Sequence, residues 1–311
     1  MSAASPARPE PVRTIVVATD FSPTASAALQ WAIELAKAHK ARIVVVHALA
    51  PPIPPAASPD FITLPPDFHE QYREAALRKL ATHVEQVRAQ GIEAASDLDI
   101  GPASPLVLEL ATKHGADLIV VGTRGLTGFR HLVLGSTAER LVQNAPVPLL
   151  TVHPGDADKH RRVRTILVPT DFSHDATLAI RTAARVLGTE DREAKVILVH
   201  AYHLPVEFTA LGAVPVAPRL FADAAEQARE RLEQDAKPLR SLGIRVETMA
   251  QEGYPPLVIE EAARSTNADL VAMGTHGRSG LRHLLLGSTA ERVVQHAPCP
   301  VLTIRRPPEK S

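Results

Sequence analysis

Short runs of aliphatic and β-branched residues alternate along the chain with longer stretches in which apolar positions recur every three to four residues. The first run, Thr14 to Ala18 (TIVVA), is apolar without alternation, which predicts a strand buried on both faces. Ser22-Pro23 then reads as an N-cap followed by proline at the first helical position. A helix to about Ala38 follows, with Leu29 and Ile33, and Trp31 and Leu35, at i,i+4. Arg42 to Ala48 (RIVVVHA) predicts a second strand, and a proline-rich segment covers Leu49 to Pro66. Asp67 and Glu70 form an acidic relative of the capping box, ahead of a helix that ends near Gly91. A weaker strand over Ala94 to Ile100 and a short helix over Ser104 to His114 come next. Asp117 to Val121 (DLIVV) and Val147 to Val152 (VPLLTV) predict the fourth and fifth strands, with a helix over Ser136 to Asn144 between them.

The same order of elements then runs again. Asp117 to His153 and Asp269 to Arg305 align without a gap, and 23 of the 37 positions are identical. VRTIVVATDFS (Val12 to Ser22) matches VRTILVPTDFS (Val163 to Ser173), and RIVVVHA matches KVILVHA (Lys195 to Ala201). The offset of 151 to 153 residues is a domain-sized period, far longer than a solenoid unit of about 20–50 residues. Strand–helix alternation of this kind predicts an α/β fold: two tandem doubly wound parallel-sheet, Rossmann-like domains with right-handed crossovers. The expected division is a disordered tail over 1–11, a first domain over 12–153, a polar linker over 154–162, a second domain over 163–306 and a short tail over 307–311. Ligands of such sheets bind beyond the carboxyl ends of the strands, where the strand order reverses.

Composition narrows the classes. A formal net charge of +0 and a pI near 7.3 give no broad basic field, so neither nucleic acid nor an anionic membrane is the expected partner. The single cysteine, Cys299, precludes an intrachain disulfide framework and, beside the last predicted strand, reads as packing. No apolar run approaches the ~20 residues of a membrane span. The opening MSAASPARPEPVR lacks an apolar signal-peptide core, so the expected address is the cytoplasm.

The chemistry concentrates in one loop, present twice. Gly122-Thr123-Arg124-Gly125 is followed after nine residues by Gly135-Ser136, and Gly274-Thr275-His276-Gly277 by Gly287-Ser288. Glycine after a buried strand permits a sharp turn and close approach of a ligand to the main chain, and Gly135 or Gly287 at φ > 0 would be required outright. The N–H groups at the start of the following helix favour a phosphate, to which the hydroxyls of Ser136 and Ser288 add donors. The same serines also read as helix caps, since Ser136 with Glu139 and Ser288 with Glu291 have capping-box spacing. Asp20 and Asp171 follow the first strand of each copy. Each carboxylate suits a ribose hydroxyl or an adenine amine, and equally an N-cap or Asx-turn. His47 and His200 end buried strands and read as structural. Arg130-His131 and Arg282-His283, inside the loops, read as a solvated face. No close grouping of His, Cys, Asp and Glu has zinc spacing.

The first strand ending in PTDFS, the VHA after strand two, the G-x-x-G, nine residues, G-S pattern and the TAER that follows together resemble the universal stress protein family. The resemblance covers nearly the whole chain apart from the tail and the proline-rich segments. It implies domains of the adenine nucleotide alpha hydrolase-like type and places the chain with the ATP-binding members, because both copies keep the glycines. By motif position, the first site is implied to use Asp20, the main chain of Ala48, Gly122, Arg124, Gly125, Gly135, Ser136 and Thr137. The second is implied to use Asp171, Ala201, Gly274, His276, Gly277, Gly287, Ser288 and Thr289. The copies differ at Ala18 against Pro169 and at Arg124 against His276, which makes unequal affinities an expectation. A magnesium ion would be held mainly by ATP oxygens.

The implied function is an ATP-binding stress-response regulator. The rivals are a slow ATPase or phosphotransfer enzyme and a nucleotide-free scaffold. The chain lacks G-x-x-x-x-G-K-[ST] and the kinase catalytic-loop signature, which argues against efficient turnover. It also lacks G-x-G-x-x-G after the first strand, which argues against a dinucleotide oxidoreductase. Sheet edges with unpaired N–H and C=O groups need cover. Pairing VPLLTV with CPVLTI inside one chain would give a pseudo-dimer of the repeats, and a homodimer is a further option. The proline-rich segments 49–66 and 202–218 read as lids or contact surfaces.

Overall fold

The computed structural model describes residues 10–49, 68–123, 125, 134–159, 162–187, 193–202, 206–209, 212–215, 218–277 and 286–306. The chain divides into two compact α/β units, with the division near residue 160. The first contains β1 (Thr14–Ala18), α1 (Pro23–His39), β2 (Arg42–Leu49), α2 (Phe68–Arg88), β3 (Ala94–Ile100), α3 (Ala103–Lys113), β4 (Leu118–Gly122), α4 (Ser136–Asn144) and β5 (Leu149–Val152). Its strands are all parallel, in the order β5-β4-β1-β2-β3. Ile15 registers with Leu118 on one side and with Ile43 on the other.

This order follows from burial. All five residues of β1 and the central Ile43–Val46 of β2 are buried, so these strands need neighbours on both edges and helices on both faces. β3 buries only Ala94 and Leu98 and leaves Ala95, Ser96, Asp99 and Ile100 exposed, as a strand with one edge open can. The chain moves from β1 to β2 to β3, then returns to β4 and β5 on the other side of β1. With right-handed crossovers, α1 and α2 therefore cover one face and α3 and α4 the other. The reversal falls between β1 and β4, where the two connections leave in opposite directions and a crevice opens.

The start of α1 shows the local chemistry. Ser22 is its N-cap and accepts the Ala25 N–H at 3.1 Å, Pro23 occupies the first turn, and Lys40 ends the helix in the left-handed conformation at φ 55°. Trp31 is 1% exposed, and its indole N–H donates to the Asp156 carbonyl at 3.2 Å, so the largest core side chain is also satisfied.

The second unit repeats the plan with β6 (Thr165–Pro169), α5 (His174–Leu187), β7 (Lys195–Tyr202), β8 (Val206–Thr209), β9 (Gly212–Pro215), α6 (Pro218–Ser241), β10 (Arg245–Glu252), α7 (Pro255–Ser265), β11 (Leu270–Gly274), α8 (Ser288–His296) and β12 (Val301–Ile304). Its parallel order is β10-β7-β6-β11-β12, with the reversal between β6 and β11. Cys299 is buried, in keeping with a packing role.

The expected strand over 94–100 and helix over 136–144 coincide with β3 and α4, while α3 begins one residue early at Ala103. The second proline-rich segment holds an antiparallel hairpin, β8 with β9, that the pattern did not suggest. Proline confines strands to edges and ribbons, and the composition masked the short runs VEFT and GAVP. Residues 50–66 of the first such segment, Asp67 of the acidic capping pair, and the Arg130-His131 and Arg282-His283 pairs lie outside the described residues.

Candidate functional site

Each unit has a cleft at its strand-order reversal, at the carboxyl ends of the strands. The cleft of the first unit has a volume of about 170 Å³ and that of the second about 210 Å³. The first is lined by Asp20, Ala48, Gly122, Gly125, Gly135, Ser136 and Thr137. Asp171, Ala201, Gly274, His276, Gly277, Gly287, Ser288 and Thr289 all line the second. Residues more than 100 positions apart thus converge because β1 lies beside β4 and β6 beside β11. Arg124 lies outside the described residues.

The acid is held by a short chain of local bonds. Beyond β1, the Thr19 N–H extends the ladder to the Val46 carbonyl at 3.0 Å. The Thr19 hydroxyl accepts the Phe21 N–H at 3.0 Å, and Asp20 Oδ1 accepts the Ser22 N–H at 3.0 Å. This Asx-turn places Phe21 at φ 64°, a left-handed conformation that is costly for a bulky residue. In the second unit Thr170, Asp171, Phe172 (φ 62°) and Ser173 do the same. The structural reading of Asp20 and Asp171 as Asx-turn acids therefore holds for Oδ1. Their Oδ2 atoms face the glycine loop: a Cβ at Gly125 would stand 2.7 Å from Asp20 Oδ2, and one at Gly277 would stand 2.8 Å from Asp171 Oδ2. Only glycine lets the loop approach the carboxylate this closely.

The loop is clasped at its ends. The Gly135 N–H donates to the Thr123 carbonyl at 2.9 Å, and the Gly287 N–H to the Thr275 carbonyl at 2.9 Å. A Cβ at Gly122 would meet Thr24 Cγ2 at 2.9 Å and the Thr24 carbonyl carbon at 3.0 Å, so the first glycine is required by the packing of α1 over β4. The helix N-caps are Gly135 and Gly287, and neither helix has a side-chain cap. This corrects the capping-box reading of Ser136 and Ser288: each is the first helical residue, one position too late to cap. Among the described residues no side-chain cap is made at either helix start, and the two hydroxyls are not used as caps. The φ values of Gly135 and Gly287 are −64° and −58°, so positive φ does not explain these glycines. At Gly287 the reason is space, since a Cβ would stand 3.1 Å from the Thr275 carbonyl oxygen.

His47 and His200 fulfil the structural role expected of them. Each Nδ1–H donates to a carbonyl at 2.7 Å, that of Thr19 or Thr170, and each ring packs against Phe21 or Phe172 with centroids 4.6 Å and 4.4 Å apart. Both rings also line the clefts.

Sequence reasoning missed the apolar wall. Ala103 and Val107 of α3 line the first cleft, and Pro255 and Ile259 of α7 line the second. No local pattern marks them, because their place depends on how the crossover helix lies across the sheet. It also missed Thr123, which a repeated G-T in both loops does signal. Thr123 is 3% exposed, lines the first cleft, and its Oγ1 has no hydrogen-bond partner among the described residues. A buried hydroxyl without a partner costs about 1–3 kcal/mol. No group of three or more metal-ligating side chains occurs among the described residues. No helix among them is long and apolar enough to cross a membrane.

Comparison with known proteins agrees with this architecture. A universal stress protein of Mycolicibacterium smegmatis is 27% identical over 297 residues, covering 94% of this chain and 96% of the relative. A single-repeat relative from Methanocaldococcus jannaschii, also a universal stress protein, is 34% identical over 144 residues, which is 46% of this chain and 83% of the relative. The crystal structure of a universal stress protein from Archaeoglobus fulgidus has the same fold, with a TM-score of 0.68 at 21% identity, covering 94% of this chain and 98% of that one. The universal stress protein family model matches residues 11–153 and again 162–305, and with both units matched the chain belongs to the universal stress protein family.

Proposed function

We propose that each cleft binds an adenine nucleotide, ATP, and that the protein acts as a nucleotide-dependent regulator in stress responses and not as a turnover enzyme. The observation that carries the reading is the juxtaposition, in both units, of an uncapped helix N-terminus with a glycine-lined carboxylate. A nucleotide has the matching parts: phosphates for the first and ribose hydroxyls or an adenine amine for the second. The aliphatic wall from α3 or α7 suits the face of a purine. Ala48 or Ala201, at the end of the second strand, also lines each cleft, and its main chain is free of a bulky side chain to keep a ligand away. The buried Thr123 hydroxyl fits a polar ligand group, and the glycines at 125 and 277 keep the loop main chain close to each carboxylate. Magnesium would enter with the triphosphate, on its oxygens. The residues of this chain bind, orient and exclude water; among the described residues the clefts offer no positioned base or metal-ligand group beyond those named.

Release of ligand from freshly purified protein, followed by mass spectrometry, tests the reading. An adenine nucleotide near two per chain is expected. NAD in its place, or no detectable adenine nucleotide binding by isothermal titration, overturns it. Phosphate release at about 1 s⁻¹ or faster would make the protein an ATPase. The same reading has the fifth strands of the two repeats paired within one chain, so that the clefts belong to a pseudo-dimer. A disulfide formed between cysteines introduced on those strands checks that arrangement.

A further inference from the structure

The two clefts share their geometry but not their charge. In the second unit Asp175 stands where the first has Thr24, in the first turn of the helix that packs behind the initial loop glycine. A Cβ at Gly274 would lie 2.8 Å from Asp175 Cβ, as one at Gly122 would lie 2.9 Å from Thr24 Cγ2. Asp175 Oδ2 is 3.9 Å from His276 Nδ1, and the Asp175 side chain is only 14% exposed. His276 Nδ1 is also 3.0 Å from the Thr275 hydroxyl, so that hydroxyl has a partner, whereas its counterpart, Thr123 Oγ1, has none among the described residues. His276 lines the cleft within the clasped loop, where the start of α8 is brought to the strand end. Other titratable groups on the elements around it include His174 at the start of α5, Asp171 after β6, His200 on β7, Glu291 and Arg292 on α8 and Arg305 after β12.

A sheltered carboxylate directly behind a phosphate cradle works against each added phosphate charge, and the shelter limits screening. The first cleft has the uncharged Thr24 at this place and, by sequence, an arginine at the loop position of His276. We infer that Asp175 and His276 make the second cleft rank adenine ligands differently from the first. The second gains less from each phosphate and so has the smaller ratio of ATP to adenosine affinity. Asp175 acts here as a positioning residue, through its field and through His276, and does not touch the ligand. The inference rests on the adenine-nucleotide reading of both clefts.

Titration of the full-length, nucleotide-free chain with ATP and with adenosine, in chelator so that no divalent cation neutralises the phosphates, tests it. A Gly125→Ala background weakens the first binding event and so separates it from the second. Asp175→Asn and Asp175→Thr should each raise the second cleft's ATP-to-adenosine ratio about tenfold, equivalent to about 1.4 kcal/mol, with adenosine itself within twofold. His276→Arg, which puts at this position the residue type of the first loop, should move the ratio in the same direction. A purely structural role for Asp175, such as favouring the start of α5, would change both ligands alike and leave the ratio in place, and that result overturns the inference. Equal ratios at the two wild-type clefts overturn it as well, leaving the adenine reading intact. If the second cleft takes neither ATP nor adenosine, both readings fall.

Discussion

Gly277→Ala is the most direct probe of the carboxylate beside the glycine loop. The new Cβ would stand 2.8 Å from Asp171 Oδ2, against 3.4 Å where ordinary contact begins, so atoms must part by about 0.6 Å. The carboxylate is not free to swing aside, because Oδ1 accepts the Ser173 N–H at 3.0 Å in the turn that also starts α5. Either that charge-assisted bond is lost or the loop retreats, and both outcomes withdraw Asp171 from a ligand seated between the loop and β6. Loss of one charge-assisted hydrogen bond is worth about 1.5–3 kcal/mol, or about 10- to 150-fold in affinity. Isothermal titration of nucleotide-free protein should therefore show one of two ATP-binding events weakened by at least about tenfold and the other unchanged. Far-UV circular dichroism should show the second unit still folded, since the substitution lies outside the sheet. Gly155→Ala, whose Cβ meets nothing within 4 Å, is the neutral control. A Gly277→Ala protein that keeps both binding events within twofold of wild type would refute the assignment of Asp171 to the ligand.

Other consequences are open to measurement. Gly135→Ala with Gly287→Ala should give a folded protein that no longer retains ATP, because the methyl at residue 287 would crowd the Thr275 carbonyl oxygen at 3.1 Å beside the helix N-terminus. If that double variant still acts fully in cells, the clefts are dispensable for function. Gly122→Ala should destabilise the first unit by about 1–3 kcal/mol, since the added Cβ meets the backbone of Thr24 and α1 is pinned by its Ser22 cap. Urea unfolding followed by fluorescence of Trp31, the sole tryptophan, reports that unit alone. Burial pushes the Asp97 carboxyl up, but hydrogen bonds from Lys113 at 2.8 Å and His114 at 2.7 Å outweigh it and hold the group below its usual 3.8. A depressed folded-state value means stability that is present above about pH 4 and lost as pH falls through the folded-state value, so the Trp31 midpoint should drop on acidification and Asp97→Asn should flatten that drop.

How much of this was legible in the chain follows from what each feature depends on. β1, β2 and β4 are continuous aliphatic runs, and Ser22-Pro23 is a local cap, so their existence follows from side-chain chemistry over a few residues. The internal repeat made the glycine loops and the acids visible twice, and those residues do line the clefts. The sequence could not decide between the two readings of Asp20, because an Asx-turn and a ligand contact use the same carboxylate. Only the coordinates show that Oδ1 is used by the turn while Oδ2 faces Gly125.

Capping was misread for a similar reason. S-x-x-E spacing is satisfied at Ser136, but the clasp between the Gly135 N–H and the Thr123 carbonyl sets the helix start one residue earlier, and that bond spans a loop whose closure no local pattern encodes. The sequence by itself determined the parallel α/β units and the glycines and acids that line the clefts. The tertiary structure decided that β1 lies beside β4, which unsatisfied groups face the cleft, and that Asp175 stands behind one loop while Thr24 stands behind the other. The division is physical: local chemistry is set by neighbours along the chain, whereas the field and space around a site are set by whichever distant elements the sheet order brings against it.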